Sequence, residues 1–392
     1  MVVASSAVVV ERPKAVHVPV VNFPRADVVL RGDLQLLLDQ WGGDGGRAVA
    51  ADALLFREDF DALMASGKPA TRRIVLVDHN ALGGEQREWA VRFPSSRCTP
   101  HDTDRRFPSQ HLVSGVIDHH VEEGLFPGSS PHLVRAVGSC WYVSALHSRS
   151  SSVLAHAALA PFCSSLVGQL CLEADSALTA EERFALLTVI RLDTIDLEPA
   201  PKGRATAVDT DVAGRLQVDM EGFVAASPWD SWPSVYAAFL HARISIDGLA
   251  VGDLLRKDYK EWATANGFRY GIASVPGTPL AVLNNKQDGS EWTTVARDFA
   301  DSRELGILLL LFAEPREGGM CRHFGWCLPS PDMAAHPTAA LLLAGLEANE
   351  DIALQPYAEW NDGQGDGMRL QGNAAYSRKK LQPVIAQVLG TL

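Results

Sequence analysis

The sequence contains no CxxC pair and no dense cysteine framework. Its six cysteines, Cys98, Cys140, Cys163, Cys171, Cys321 and Cys327, are scattered over 392 residues. That spacing excludes a thiolate zinc module and a disulfide scaffold, and it points to a large reduced protein of the cytoplasm. Long apolar runs are missing as well. The longest, Ile307 to Ala313, falls far short of the roughly twenty residues that a membrane-crossing helix needs. The N-terminal MVVASSAVVVERPK lacks a basic leading region, and Glu11 argues against a transit peptide. A spread of positive charge is absent too: 35 Lys and Arg against 47 Asp and Glu leave a formal charge of −12. That balance disfavours nucleic acid as a partner, so an anionic substrate has to meet a local basic pocket. There is no internal repeat and no heptad pattern.

What is present is ordinary globular text, 47% apolar and 21% charged, long enough for two domains with sizeable cores. Against it two stretches stand out. Gly115 to Gly124 reads GVIDHHVEEG, a β-prone run that stops on Asp118, His119 and His120. Upstream, Arg73 to Asn80 reads RIVLVDHN, four apolar residues followed by Asp78, His79 and Asn80. A strand ending this way delivers carboxylates and imidazoles to the C-terminal edge of a sheet, where open α/β folds place their chemistry. Such donors suit Mn²⁺ or Mg²⁺ and, having no thiolate, do not suit structural zinc.

Around these strands the signals alternate between strand and helix, which argues for a parallel sheet with helices on its faces. Residues 33–41 read as a helix closed by Gly42-Gly43, and 53–56, 74–77 and 134–137 as strands. Ser139 is placed to cap a helix running to about His147. Thr179-Ala-Glu-Glu182 is a capping box at the head of an amphipathic helix that delivers Leu192 and Asp193. Lys202, Asp209 and Asp211 read as a solvated segment. Residues 219–234, with Gly222, Pro228 and Pro233, have linker composition. Beyond them, Val251, Leu255, Tyr259 and Trp262 share one face of an expected helix over 251–262. Residues 270–275, 280–283 and 305–312 read as strands of a mixed sheet. Positive charge collects late, at Arg256, Lys257, Arg322, His323, Arg378, Lys379 and Lys380.

The VDHN and IDHH strand ends, with VGSC at 137–140, LDT at 192–194, DLLRKDYKEW at 253–262 and NAAYSRKKLQP at 373–383, resemble the DHH phosphoesterases. Within that family they are similar to the eukaryotic exopolyphosphatase and prune group, which ends in a DHHA2 domain. The resemblance implies an α/β fold: a parallel-sheet DHH domain over 1–218, a linker over 219–234, and a smaller α/β DHHA2 domain with a mixed sheet over 235–392. It implies Asp78, His119 and Asp193 as metal ligands, with Asp78, His119 and His120 catalytic. His120 and Asn80 would meet the phosphoryl group. Arg256, Lys257, Arg322, His323, Arg378 and Lys379 would hold an anionic chain across an interdomain cleft.

The implied reaction is release of terminal phosphate from linear inorganic polyphosphate by metal-activated water. The family holds two such ions, Mn²⁺ or Mg²⁺. The group's first strand ends in a pattern of the form GNExxDLDS, and no counterpart precedes Val20, so one bound ion is expected where the family has two, the sequence being either an incomplete stretch of an active enzyme or a degenerate member. The alternative is a catalytically weak or inactive DHH/DHHA2 protein that binds a polyanion or a protein as a regulator. A phosphodiesterase with the other C-terminal domain type is disfavoured because no GGGH-like motif occurs. Neither a membrane nor nucleic acid is expected as a partner.

Overall fold

In a computed structural model of the chain, the structure describes residues 20–40, 54–65, 74–77, 113–118, 132–134, 161–174, 178–200, 202–276, 292–316, 319–357 and 367–390. The fold is α/β, in two compact units: residues 1–25 with 36–240, and residues 26–35 with 241–392.

In the first unit β1 (Val20–Val21) pairs in parallel with β2 (Leu55–Phe56). A 3-10 turn (Arg25–Leu30) and α1 (Gly32–Gln40) lie between them in the chain, and α2 (Arg57–Ala65) follows. Arg25 holds the chain after β1 to β2 and α2. Its guanidinium donates to Asp59 Oδ2 at 2.7 Å and lies 4.4 Å over the Phe56 ring. Next come β3 (Ile74–Val77), β4 (Val113–Asp118) and β5 (His132–Val134), a three-stranded parallel sheet in the order β3-β4-β5. The expected helix after Ser139 lies outside the described residues.

Five helices then follow in the described chain: α3 (Cys163–Glu173), α4 (Ala180–Thr194), α5 (Ala207–Gln217), α6 (Glu221–Ala225) and α7 (Trp232–Ile244). Their apolar stripes meet in one core of Leu166, Cys171, Leu187, Ile190, Leu216, Val235 and Phe239, all essentially buried. Phe184 stands at its aromatic centre, 5.7 Å from the ring centroids of both Phe223 and Trp232. Val77, the last residue of β3, packs on this same core. The capping box at Thr179 is present: Thr179 Oγ1 accepts from Glu182 N at 3.2 Å, and Glu182 Oε2 accepts from Thr179 N at 2.9 Å.

Two segments differ from the sequence reading. Asp209, read as solvated, is buried. It accepts from Thr206 N and Thr206 Oγ1 at 2.7 Å and from Phe162 N at 2.9 Å, so it caps α5 and moors the entry to α3. Residues 219–234, read as a linker, carry α6 and the head of α7, with Met220, Val224 and Trp232 buried in the first core.

The second unit comprises α8 (Val251–Lys257), β6 (Tyr259–Ala263), β7 (Arg269–Pro276), α9 (Trp292–Ser302), β8 (Ile307–Arg316), β9 (Gly319–Cys327), a 3-10 turn (Pro331–Ala335), α10 (Pro337–Glu347), β10 (Leu354–Pro356), β11 (Gly367–Gln371) and α11 (Arg378–Gly390). The sheet is mixed, in the order β10-β11-β9-β8-β7-β6, with β7 and β8 parallel and the other pairs antiparallel. β8 lies near its middle, which is why the sequence shows an unbroken apolar run there. Leu308, Leu310 and Phe312 face one core with α8 and α9, while Ile307, Leu309 and Leu311 face the other with α10 and α11. The unit is therefore a sheet sandwiched between two helical layers.

The helix expected over 251–262 stops at Lys257. Asp258 leaves helical geometry (φ −139, ψ 68), and residues 259–263 pair with β7 as β6. Tyr259 and Trp262 suit that strand: Tyr259 meets Phe299 edge-on at 5.0 Å, and Trp262 stacks on Tyr270 at 5.5 Å. Segment 26–35 belongs to this unit through α8 and the end of α7. A Cβ on Gly32 would collide with the Ala242 carbonyl oxygen, so only glycine permits that approach. Among the described residues no helix is long and apolar enough to cross a membrane.

Candidate functional site

β3 and β4 run parallel and adjacent, with Val77 opposite Ile117, so both strands finish at one edge of the sheet. Asp118 is the last residue of β4, and Asp78 comes directly after Val77 in the chain. Asp78, Asn80, His119 and His120 themselves lie outside the described residues. The register brings the ends of the two strands that lead into these sequences, Val77 and Asp118, to one edge of the sheet.

Asp193, half-buried, sits in the last turn of α4. That is the end of a helix where the exposed carbonyls carry partial negative charge and a cation is favoured. The backbone just beyond it is unusual. Ile195, Asp196 and Leu197 have φ of 61°, 55° and 64°, three consecutive non-glycine residues in the left-handed region. Each costs on the order of 1–2 kcal/mol, and the β-branched Ile195 is the worst suited of the three. The contacts that impose this shape are specific. Thr194 Oγ1 donates to Ile190 O at 2.7 Å and accepts from Leu197 N at 2.9 Å. Asp196 N donates to Arg191 O at 2.7 Å, and Arg204 N to Thr194 O at 3.3 Å. The Arg191 guanidinium donates to Asp196 Oδ1 at 2.5 Å and to Gln217 Oε1 at 3.0 Å, and stands 5.0 Å over the Trp232 ring. Sequence reasoning singled out Asp193 but none of this support, because Ile-Asp-Leu contains no glycine or asparagine to announce a left-handed turn.

The predicted cations of the second unit occupy different environments. Arg256 Nη1 donates to Asp27 Oδ1 at 2.8 Å and Arg256 Nη2 to Asp253 Oδ1 at 2.6 Å. Lys257 is buried and donates from Nζ to Leu30 O at 2.8 Å. Burial lowers its pKa from the usual lysine value; the nearby Asp33 opposes that shift, and Arg31 and Arg243 add to it. Both residues therefore grip segment 26–35. Arg322 is half-buried, which lowers its pKa, and its Nε donates to Ala374 O at 2.6 Å. Buried His323 meets the Tyr357 ring edge-on at 4.8 Å. Gln371, paired with Arg322 across the sheet, donates to Asn373 O and Tyr376 O at 2.7 and 2.9 Å. Arg322 and Gln371 thus fix the loop leading into α11.

α11 opens Arg378-Lys379-Lys380, with no acidic residue in its first turn. Cations at a helix N-terminus are poorly placed against the helix dipole unless an anion joins them. Arg378 donates to Asp258 O at 2.9 Å and to Asp258 Oδ1 at 2.6 Å, while Lys379 and Lys380 are exposed.

Among the described residues, no group of three or more His, Cys, Asp or Glu could hold a metal. Of the expected ligands, Asp193 alone falls there. What it offers, a hard oxygen at the negative end of a helix with no thiolate involved, fits Mn²⁺ or Mg²⁺.

Residues 237–388 match the model of the DHHA2 domain. The C-terminal part of the chain therefore carries a DHHA2 domain, and proteins named as exopolyphosphatases align with most of the chain at low identity. The chain is 25% identical over 375 residues to a Schizosaccharomyces pombe protein named as an exopolyphosphatase, covering 94% of this chain and 81% of that one. It is 22% identical over 377 residues to Exopolyphosphatase PRUNE1 of Rattus norvegicus, covering 95% of this chain and 68% of that one. Among solved structures, a Methanococcus jannaschii protein named as a family II inorganic pyrophosphatase covers 95% of this chain and 99% of its own, at 13% identity and a TM-score of 0.48.

Proposed function

We propose that the chain is a divalent-metal-dependent exopolyphosphatase, releasing terminal phosphate from linear inorganic polyphosphate. The observation that supports this reading is the parallel register of β3 and β4, two strands that end at one edge of the sheet just where the sequence continues into its two Asp-His pairs. The relatives' names support the substrate class. In this reading Asp78, His119 and Asp193 hold Mn²⁺ or Mg²⁺. Such an ion, when bound, polarises a phosphate oxygen and lowers the pKa of a water. His120 donates to the phosphoryl group, and Asn80 orients Asp78 or the substrate.

Phosphoryl transfer is mainly positioning and charge stabilisation, so the remaining task is to hold a polyanion. Lys379 and Arg378 at the head of α11 are best placed for it, because a phosphate there is favoured by the side chains and by the helix together. Arg322 stands behind the loop leading into α11, whereas His323 faces the other side of the sheet, against Tyr357. Arg256 would have to leave Asp27 and Asp253, and Lys257 to leave Leu30 O, before either could reach a phosphate.

Phosphate release from polyphosphate, measured with Mn²⁺ and with chelator, tests the reading. Activity should require the metal and should fall at least about a hundredfold in Asp78→Asn and in Asp193→Asn. Full turnover in either folded variant, or in chelator, overturns it.

A further inference from the structure

Asp193 is held from both sides. Upstream, the side chain of Arg191 reaches past it to Asp196; downstream, the backbone turns left-handed for three residues. We infer that the turn Ile195–Leu197, locked by Arg191 and Thr194, is a positioning device that presents Asp193 to its cation, and that Arg191 is a positioning residue. This rests on the reading of Asp193 as a metal ligand.

An ordinary helix stop does not account for the turn. One left-handed residue after the helix suffices to end it, and glycine usually supplies that residue. Here the left-handed backbone continues through Asp196 and Leu197 with no glycine or asparagine to ease it. A shape that the residues themselves resist has to be imposed by surrounding contacts, and backbone held in this way gathers at functional sites.

The second observation is Arg191 itself. It is largely buried, yet its Nε and the neighbouring Trp232 Nε1 have no hydrogen-bond partner among the described residues. A partly satisfied buried cation is a poor choice for packing, where an apolar side chain would serve better. Arg191 nevertheless links three points, Asp196, Gln217 and the Trp232 ring, that fix the end of α4 to α5 and α7. With Thr194 O and Oγ1 also engaged, the backbone carrying the Asp193 carboxylate has its neighbours pinned on each side. A ligand so rooted binds its ion without first being ordered.

The test is Mn²⁺ affinity of the full chain, read by electron paramagnetic resonance, for Asp193→Asn and for Asp196→Gly, Asp196→Ala and Asp196→Val. All three Asp196 variants remove the acceptor of Arg191 equally. They differ in how well the new residue tolerates the left-handed region: glycine freely, alanine less, valine least. The valine variant should bind Mn²⁺ about tenfold more weakly or worse. Alanine should fall between, and glycine, which permits the turn but loses the Arg191 lock, should weaken least yet bind measurably below wild type; wild-type affinity in Asp196→Gly removes Arg191 from the positioning role. Should the valine variant fail to fold by circular dichroism, the difference between glycine and alanine decides. Equal affinities along the series, with Asp193→Asn weakened, overturn the positioning role alone. Asp193→Asn that binds like wild type overturns the metal reading, and the positioning role with it.

Discussion

A lysine ammonium taken out of water is expensive, and Lys257 shows how this chain lives with one. Its single described acceptor is a backbone oxygen, that of Leu30, and burial holds its pKa below the ordinary 10.5. The unfolded chain keeps the proton up to that ordinary value, whereas the folded chain releases it earlier. In the window below 10.5 the unfolded state therefore binds more protons, and stability contributed by this group rises with pH. Urea midpoints measured from neutral pH upward should show that rise in the wild type and a flatter profile in Lys257→Met. Identical profiles would mean that the ammonium is better solvated than its position indicates. The sequence showed Lys257 as a cation beside Arg256, and in that respect it was legible. Its burial was not, because the acceptor comes from a segment more than two hundred residues away.

At the scale of elements, patterns that depend on neighbours in the chain were readable, and patterns that depend on distant ones were not. Thr179 and Glu182 are three residues apart and cap α4 as their types require. Thr206 and Asp209 have the same spacing, but the polar text around them concealed that Asp209 also binds Phe162 N at the entry to α3. Because that carboxylate serves two helices and is buried, its loss should cost more than the loss of an exposed cap. Asp209→Ala should destabilise by roughly 3 kcal/mol, leaving backbone donors stranded, against about 1 kcal/mol for Thr179→Ala. Thermal melts of the two variants compare them directly, and a smaller effect at Asp209 would contradict the argument. The helix expected over 251–262 failed for a related reason. Val251, Leu255, Tyr259 and Trp262 satisfy a helical period, but the pairing of residues 259–263 with β7 decides the outcome. Strands β3 and β4 were legible because Ile74–Val77 is an unbroken apolar run and Val113–Asp118 a β-prone one, signals that need no distant partner to be read.

For the whole molecule, the DHHA2 model spans 237–388, yet the second unit also includes residues 26–35. Asp27 receives Arg256, Leu30 receives Lys257, and Gly32 lies against Ala242. Domain shuffling treats such a module as a contiguous cassette, to be cut out and spliced elsewhere, and this one does not obey that grammar. Its N-terminal piece was written into the chain some two hundred residues before the rest. A polypeptide of residues 237–392 made alone would lose the acceptor of Lys257 and the burial of Leu30 in the core of this unit, and should melt lower than the same unit in the full chain. A synthetic peptide of residues 25–40, added in excess, should bind that polypeptide and raise its melting temperature, and the same peptide carrying Gly32→Ala should not. The family's boundary in sequence and the domain's boundary in matter are then two different lines.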